Sequence, residues 1–367
     1  MTKQRNSHLG GHLASDIFPI RKHLHKLKPY RNARQDFEGQ ASIWLDANEN
    51  AWGGAHQGAY RRYPDPFSRD VRQELASLKG VSADAIFVGH GSDEVIDILV
   101  RLTCDPASSK ILLSSPTYGM MAVSAAIHGV ECVDIPLEGA DYQLPVDALI
   151  DAMYQDPSIR MMYVCSPNNP TGTQWSTQDC QRLAKVASEQ GIMMLLDEAY
   201  IDYAPRPSMA MDSFWGEMPT LVVMQTLSKA WGQAALRIGW AIAHPEFIGW
   251  MDKIKPPYSI AKPIQSLALD TLKDPSLLQK TIASTHTERA RLLAELPGLQ
   301  GVIHVFPTDA NFILFRHSHA EQLYHWLTTH GIVVRDRRHE VSDALRVTIG
   351  TADENNAFLD ALKSFNP

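Results

Sequence analysis

Between residues 85 and 243, short apolar runs alternate with stretches whose apolar positions recur at helical spacing. The runs 85–88, 111–115, 131–135, 161–165, 192–197 and 220–225 predict strands, and a further apolar run covers 238–243. The stretches 93–103, 118–128, 145–154 and 177–190 predict helices; in the first, Val95, Ile96, Leu99 and Leu102 fall on one face. Strands alternating with helices imply an α/β fold, a mostly parallel sheet covered on both faces. The nearly continuous apolar run 192–196 fits a strand buried on both sides.

The pattern changes after Pro256-Pro257. Helices are expected over 263–273 and 276–296, then strands over 302–306, 311–315, 332–335 and 345–349. Helices are also expected over 319–330 and 352–365, so this part reads as a smaller α+β domain. The first 43 residues are polar and read as an arm wrapping onto the small domain or a partner subunit. The expected division is thus an arm over 1–43, a large domain over 44–258 and a small one over 259–367.

A chain of 367 residues is long enough for a large core plus a second one. Its 44% hydrophobic and 20% charged residues are the balance of a soluble globular enzyme. A net charge of -7 argues against nucleic acid as a partner, because phosphate backbones call for a basic face. No apolar run is long enough for a bilayer-spanning helix or follows the N-terminal basic residues as a secretory signal would, so a cytoplasmic protein is expected. Cys104, Cys132, Cys165 and Cys180 form no Cys-x-x-Cys pair and read as small buried hydrophobes rather than disulfides. Of fifteen histidines, His317 and His319 form one close pair, but no third ligand has metal-site spacing, and no metal is expected.

Ligands of open α/β sheets bind beyond the carboxyl ends of the strands, so the residues just after each predicted strand carry the most information. Gly89-His90-Gly91-Ser92-Asp93-Glu94 follows the first strand and opens a helix. The N–H groups of Ser92 and Asp93 could hold a phosphate there, with both carboxylates turned away; an ordinary serine-capped helix is the alternative. It is neither Gly-x-Gly-x-x-Gly nor a P-loop, so dinucleotide and nucleoside-triphosphate sites lack their fingerprints. Cys165-Ser166-Pro167-Asn168-Asn169-Pro170-Thr171-Gly172 is a rigid turn able to aim an amide at a ligand, or else a plain loop. Asp197-Glu198-Ala199-Tyr200 ends the most apolar strand, where a carboxylate needs a partner such as a protonated ring nitrogen, or caps a helix. In Thr226-Leu227-Ser228-Lys229-Ala230-Trp231 a lysine after a strand can be desolvated into a nucleophilic amine, although most lone lysines are surface residues. Arg237 precedes the next apolar run and could clamp a phosphate.

In this order and spacing the segments resemble fold-type-I pyridoxal-phosphate enzymes, whose large domain is of the aspartate-aminotransferase type. They are similar above all to the histidinol-phosphate aminotransferase family. Leu45-Asp46-Ala47-Asn48-Glu49-Asn50, Tyr63-Pro64-Asp65-Pro66, Pro116-Thr117-Tyr118-Gly119-Met120, residues 331–336 and 345–351 add to the likeness, which runs from about residue 29 to the C-terminus. Ala51-Trp52 stands where proline is usual, and Ala235 where glycine is common.

The resemblance implies pyridoxal 5′-phosphate as cofactor, held by Lys229 as a Schiff base, with Asp197 on the ring nitrogen. It places Asn169 and Tyr200 on the ring 3-oxygen, Tyr118 on the ring face, and Ser92, Asp93, Ser228 and Arg237 around the phosphate. Tyr63 would reach the phosphate of a second subunit, which implies a homodimer, and Tyr30, Arg335 and Arg346 would bind substrate. Histidinol phosphate and 2-oxoglutarate are the substrates implied; surface ion pairs with Asp336 or Asp343 are the alternative for the two arginines. Competing readings are an aromatic amino-acid aminotransferase, a phospho-amino-acid decarboxylase, a ligand-sensing regulator and a Rossmann oxidoreductase. The regulator lacks room for a DNA-binding domain and the oxidoreductase lacks its glycine motif.

Overall fold

The apolar runs between residues 86 and 242 form one seven-stranded sheet in a computed structural model. The structure describes residues 17–30, 41–56, 59–210 and 215–366. The strands are β1 (Ile86–His90), β2 (Lys110–Leu113), β3 (Glu131–Asp134), β4 (Ile159–Cys165), β5 (Met193–Asp197), β6 (Leu221–Thr226) and β7 (Ile238–Ile242). Their order is β1-β7-β6-β5-β4-β2-β3. β7 runs antiparallel to both β1 and β6, and every other pair is parallel.

Strand residues point alternately to the two faces, so each strand feeds two cores. Met162, Val164, Met194 and Leu196 enter one core with α1 (Arg69–Lys79), α4 (Val146–Gln155) and α5 (Thr177–Glu189). Met161, Tyr163, Cys165, Met193 and Leu195 enter the other with α2 (Ser92–Thr103), α3 (Met120–Ile127) and α6 (Pro245–Ile254). Burial on both sides is why these strands read as continuous apolar runs.

Beyond Pro256-Pro257 come α7 (Lys262–Lys273) and α8 (Pro275–Glu295), then β8 (Val302–Val305), β9 (Phe312–His317), α9 (Ala320–Thr329), β10 (Arg335–Asp336), β11 (Ala344–Thr348) and α10 (Ala352–Ser364). The four strands make an antiparallel sheet, β10-β11-β9-β8, over a third core that includes Phe315, Leu323, Leu345 and Phe358. Thr351 and Glu354 close a reciprocal capping box that starts α10.

One expected strand moves, two helices are added, and part of the arm is placed. The strand expected over 332–335 is displaced: backbone pairing with β11 begins only at Arg335, opposite Arg346. Ile332 and Val334 are apolar because they pack on the third core, not because they pair. The helices α1 and α6 were not legible, since α1 carries only the narrow stripe Val71, Leu75 and Ala76 between charged residues. Of the arm, Phe18 and Arg21 pack on the large sheet's side. Phe18 lies against Phe247 at 5.3 Å, the Arg21 amide donates to the Leu102 carbonyl at 2.8 Å, and Arg21 pairs with Asp105 at 2.9 Å. Residues 1–16 and 31–40 of the arm lie outside the described residues.

Candidate active site

The carboxyl ends of β4, β5 and β6 open into a cavity of about 370 Å³, lined also by arginines of the smaller sheet. It is lined by Ser92, Asp93, Tyr118, Asn169, Asp197, Tyr200, Ser228, Lys229, Arg237, Arg335 and Arg346, eleven of the thirteen residues singled out from sequence.

Asp197 ends β5 at the base of the cavity and is buried. Its Oδ1 accepts from the Ala199 amide at 3.0 Å and its Oδ2 from the Tyr163 hydroxyl at 2.7 Å. Burial pushes its carboxyl up to about 6, against the pull of those two donors. Lys229 follows β6 and faces the same space, its Nζ 5.4 Å from the centre of the Tyr200 ring. Burial holds the Lys229 amine below the ordinary lysine range, and the nearby Arg346 guanidinium adds to this. Both effects shift the amine towards its neutral, nucleophilic form.

One end of the cavity is built for an anion. Gly91, with φ of 80°, precedes α2, and a Cβ there would stand 2.6 Å from Arg237 Nη2. Arg237 itself takes a left-handed conformation, φ 53° and ψ 51°, a strained choice for arginine that turns its guanidinium back to the start of α2. Its Nη1 donates to Ser228 Oγ at 3.3 Å and to the Ala234 carbonyl at 3.1 Å. Contrary to expectation, the Asp93 carboxylate is turned into the cavity. It accepts from the Tyr118 hydroxyl at 3.1 Å and stands 3.8 Å from Arg237, whose cationic fork offsets its repulsion of an anion.

The opposite wall carries guanidinium groups. Arg346 donates to the Asn169 carboxamide oxygen, which also accepts from Arg337 at 3.3 Å. Asn168 instead ties the turn together, donating to the Pro116 carbonyl at 3.0 Å and Thr171 Oγ1 at 2.9 Å. Arg335, across from Arg346 in the β10–β11 pair, also lines the cavity. Arg337 was not singled out from sequence, although its two-residue spacing from Arg335 is a signal that they share a face. Its Nη1 pairs with Glu340 at 2.8 Å, while the Nε atoms of Arg337 and Arg346 are buried without a hydrogen-bond partner.

Two of the residues singled out lie outside this cavity: Tyr30, expected to bind substrate, and Tyr63, expected at the phosphate of a second subunit rather than of its own. Tyr30 is exposed beside Phe67 and Pro257, and Tyr63 stacks on Tyr258 at 4.5 Å in a separate cavity with Glu49 and Arg62. His317 engages its ring nitrogens with backbone, Nε2 at 3.1 Å from the Gln300 carbonyl and Nδ1 accepting from the His319 amide at 3.1 Å. Among the described residues no cluster of three or more His, Cys, Asp or Glu could hold a metal, and no helix is long and apolar enough to cross a membrane.

A half-buried amine and a buried carboxylate in one cavity beyond the strands of a mixed α/β sheet, with an arginine-rich wall from a second sheet, suit amino-group chemistry. The chain belongs to the family of aminotransferases class I and II, whose family model matches residues 34–362. It is 42% identical over 348 residues to a histidinol-phosphate aminotransferase of Cytophaga hutchinsonii, covering 94% of this chain and 98% of the relative. The histidinol-phosphate aminotransferase of Schizosaccharomyces pombe is 38% identical, over 94% of this chain and 96% of that one. A solved histidinol-phosphate aminotransferase from Sinorhizobium meliloti, in complex with pyridoxal-5′-phosphate, shares the fold with a TM-score of 0.75 at 24% identity, over 86% of this chain and 88% of that chain.

Proposed function

We propose that this chain is a pyridoxal 5′-phosphate-dependent aminotransferase that exchanges an amino group between L-histidinol phosphate and 2-oxoglutarate in histidine biosynthesis. The observation that carries the reading is the pair Lys229 and Asp197, both facing one cavity, between an anion cradle and an arginine wall.

The residues present fit the cofactor. Ser92, Asp93 backbone, Ser228 and Arg237 would hold its phosphate in the cradle that a side chain at Gly91 would fill. Asp197 would keep a proton on the ring nitrogen, Tyr118 would cover the ring face, and Asn169 and Tyr200 would bind the ring oxygen. When bound, the cofactor supplies an electron-withdrawing ring that stabilises negative charge at the substrate α-carbon.

The desolvated Lys229 amine takes the proton from the substrate α-carbon and returns it on the other side of the exchange. Arg346 and Arg335 hold the substrate's anionic end, and a guanidinium fork accepts either a phosphate or a carboxylate. One pair of arginines can therefore serve both halves of a ping-pong exchange. Tyr63 would act on the phosphate of a second copy of the chain, which makes the working unit a homodimer, and Tyr30 would contribute to substrate binding. A cytoplasmic location suits this chemistry.

The test is amino-group transfer by the purified chain loaded with pyridoxal 5′-phosphate. Histidinol phosphate with 2-oxoglutarate should give glutamate far faster than phenylalanine does, and phosphothreonine should release no carbon dioxide. Faster transfer from phenylalanine, or release of carbon dioxide, would overturn the substrate assignment. Turnover retained by Lys229→Ala would overturn the role of the lysine.

A further inference from the structure

Tyr163 has no place in the motifs that mark this site. It lies within β4, two residues before Cys165, in an otherwise apolar strand. The parallel register sets Cys165 opposite Asp197, so Tyr163 stands on the same face and one step back. Its ring is buried, and its hydroxyl donates to Asp197 Oδ2 at 2.7 Å.

We propose that Tyr163 is a positioning residue for Asp197: its hydroxyl fixes the carboxylate's orientation and holds it in the anionic form that a cofactor ring nitrogen requires. The inference rests on reading the cavity as a pyridoxal 5′-phosphate site. The charges around Asp197 show why a donor matters. Asp93, from α2, disfavours the anion, and Lys229, after β6, favours it. The thiol of Cys165 and the phenols of Tyr118, Tyr200 and Tyr163 are all pushed up, chiefly by burial, and stay neutral. The hydrogen bonds to the carboxylate come from the Ala199 amide and from Tyr163, and only the second belongs to a side chain. A buried carboxylate that loses such a donor becomes harder to ionise.

The test uses pyridoxamine 5′-phosphate, which keeps the ring nitrogen and phosphate but has no aldehyde to react with Lys229. Its dissociation constant is measured from pH 5 to 9 for the full chain, for Tyr163→Phe and for Tyr163→Leu, with inorganic phosphate as a probe of the cradle alone. In the unaltered protein, binding weakens as pH falls through about 6, because Asp197 takes up a proton. In both variants the midpoint should rise by about 1 to 2 pH units. Affinity should then fall about tenfold at pH 7 and agree with the unaltered protein at pH 9. Phosphate binding should not change.

An unchanged midpoint in either variant overturns the proposal, and so does a loss of affinity equal at all pH values. Asp197→Asn gives a check that does not need the tyrosine variants to fold. It must abolish the acid weakening, and survival of that weakening overturns the proposal. If the unaltered chain binds phosphate but never pyridoxamine 5′-phosphate, the reading of the cavity fails and the proposal with it.

Discussion

The Arg346 guanidinium donates to the carboxamide oxygen of Asn169, joining the smaller sheet to a strand-end turn of the large one 177 positions earlier in the chain. Both residues line the cavity that Lys229 and Asp197 face, so the contact ties the arginines of the smaller sheet to the strand-end turn of the large one. It also commits the amide oxygen to the wall, which leaves the amide N–H₂ of Asn169 as the group free to donate into the cavity. Arg346→Lys keeps the charge but loses the planar fork. Apparent KM for both substrates should rise about 10- to 100-fold, the effect of about 1.5 to 3 kcal/mol for a hydrogen bond to a charged group. Steady-state kinetics with each substrate varied in turn would measure it, and an unchanged KM for one of them would show that the two do not share the arginine.

The cradle at the start of α2 depends on missing side chains. Gly91 has φ of 80°, and a Cβ would press on Arg237 Nη2. Gly239, in β7, lets the Gly91-Ser92 backbone lie directly over the strand. Gly91→Ala should therefore cost about 1 to 3 kcal/mol in backbone strain and displace Arg237. The expected result is weaker binding of inorganic phosphate and of cofactor together, with the absorbance and turnover of the fully loaded enzyme nearly preserved at saturating cofactor. Equilibrium dialysis of both ligands is the direct measurement.

Strand ends were legible because burial on two faces writes continuous apolar runs, and the punctuation after each run marks the site. Lys229, Asp197, Asn169 and Arg237, which line the cavity, were legible that way, each a polar residue just past an apolar stretch or just before one. Arg337 and Tyr163 were not. Arg337 follows a two-residue strand whose pairing no periodicity could announce, and Tyr163 hides inside an apolar strand, betrayed only by a hydroxyl that must find a partner. Helix α1 was missed because its apolar stripe is too narrow to stand out among charged residues. The side chain of Asp93 was expected to face away because a carboxylate repels a phosphate; its partners, Tyr118 and Arg237, come from distant segments.

The role proposed for Asp197 sets it against the stability of the ligand-free protein. Its folded pKa, about 6, lies above the ordinary carboxyl value of 3.8, so the folded state binds the proton more tightly than the unfolded one. The stability this represents is present in full below 3.8 and is lost as pH rises through about 6. At pH 7.5 the ligand-free protein thus carries a penalty of at most about 2 to 3 kcal/mol for ionising this group. Asp197→Asn should unfold at a higher temperature than the unaltered apoprotein at pH 7.5, by a few degrees, and the gap should close towards pH 4. Thermal melts of the two apoproteins across that range test the sign. A gap that widens on acidification would mean that the carboxylate is stabilised, not strained, by its surroundings.

Arg337 is held differently from its neighbours, because Glu340 pairs with it at 2.8 Å while its Nη2 reaches Asn169 at 3.3 Å. Three guanidinium groups, Arg335, Arg337 and Arg346, line one wall, and burial together with the charges of Arg337 and Arg335 disfavours the Arg346 cation. Arg337→Gln keeps a donor near Asn169 and removes one charge. A dianionic phosphate should feel that loss more than a carboxylate does, since Coulomb attraction scales with the product of the charges. Under the proposed function, KM for histidinol phosphate should rise about tenfold and KM for 2-oxoglutarate about twofold or less, with kcat little changed. Glu340→Gln should act in the opposite sense, freeing the Arg337 charge for the substrate and lowering KM for the phosphate ester. Equal changes for the two substrates in both variants would place Arg337 outside the recognition of charge and leave it only a support for Asn169.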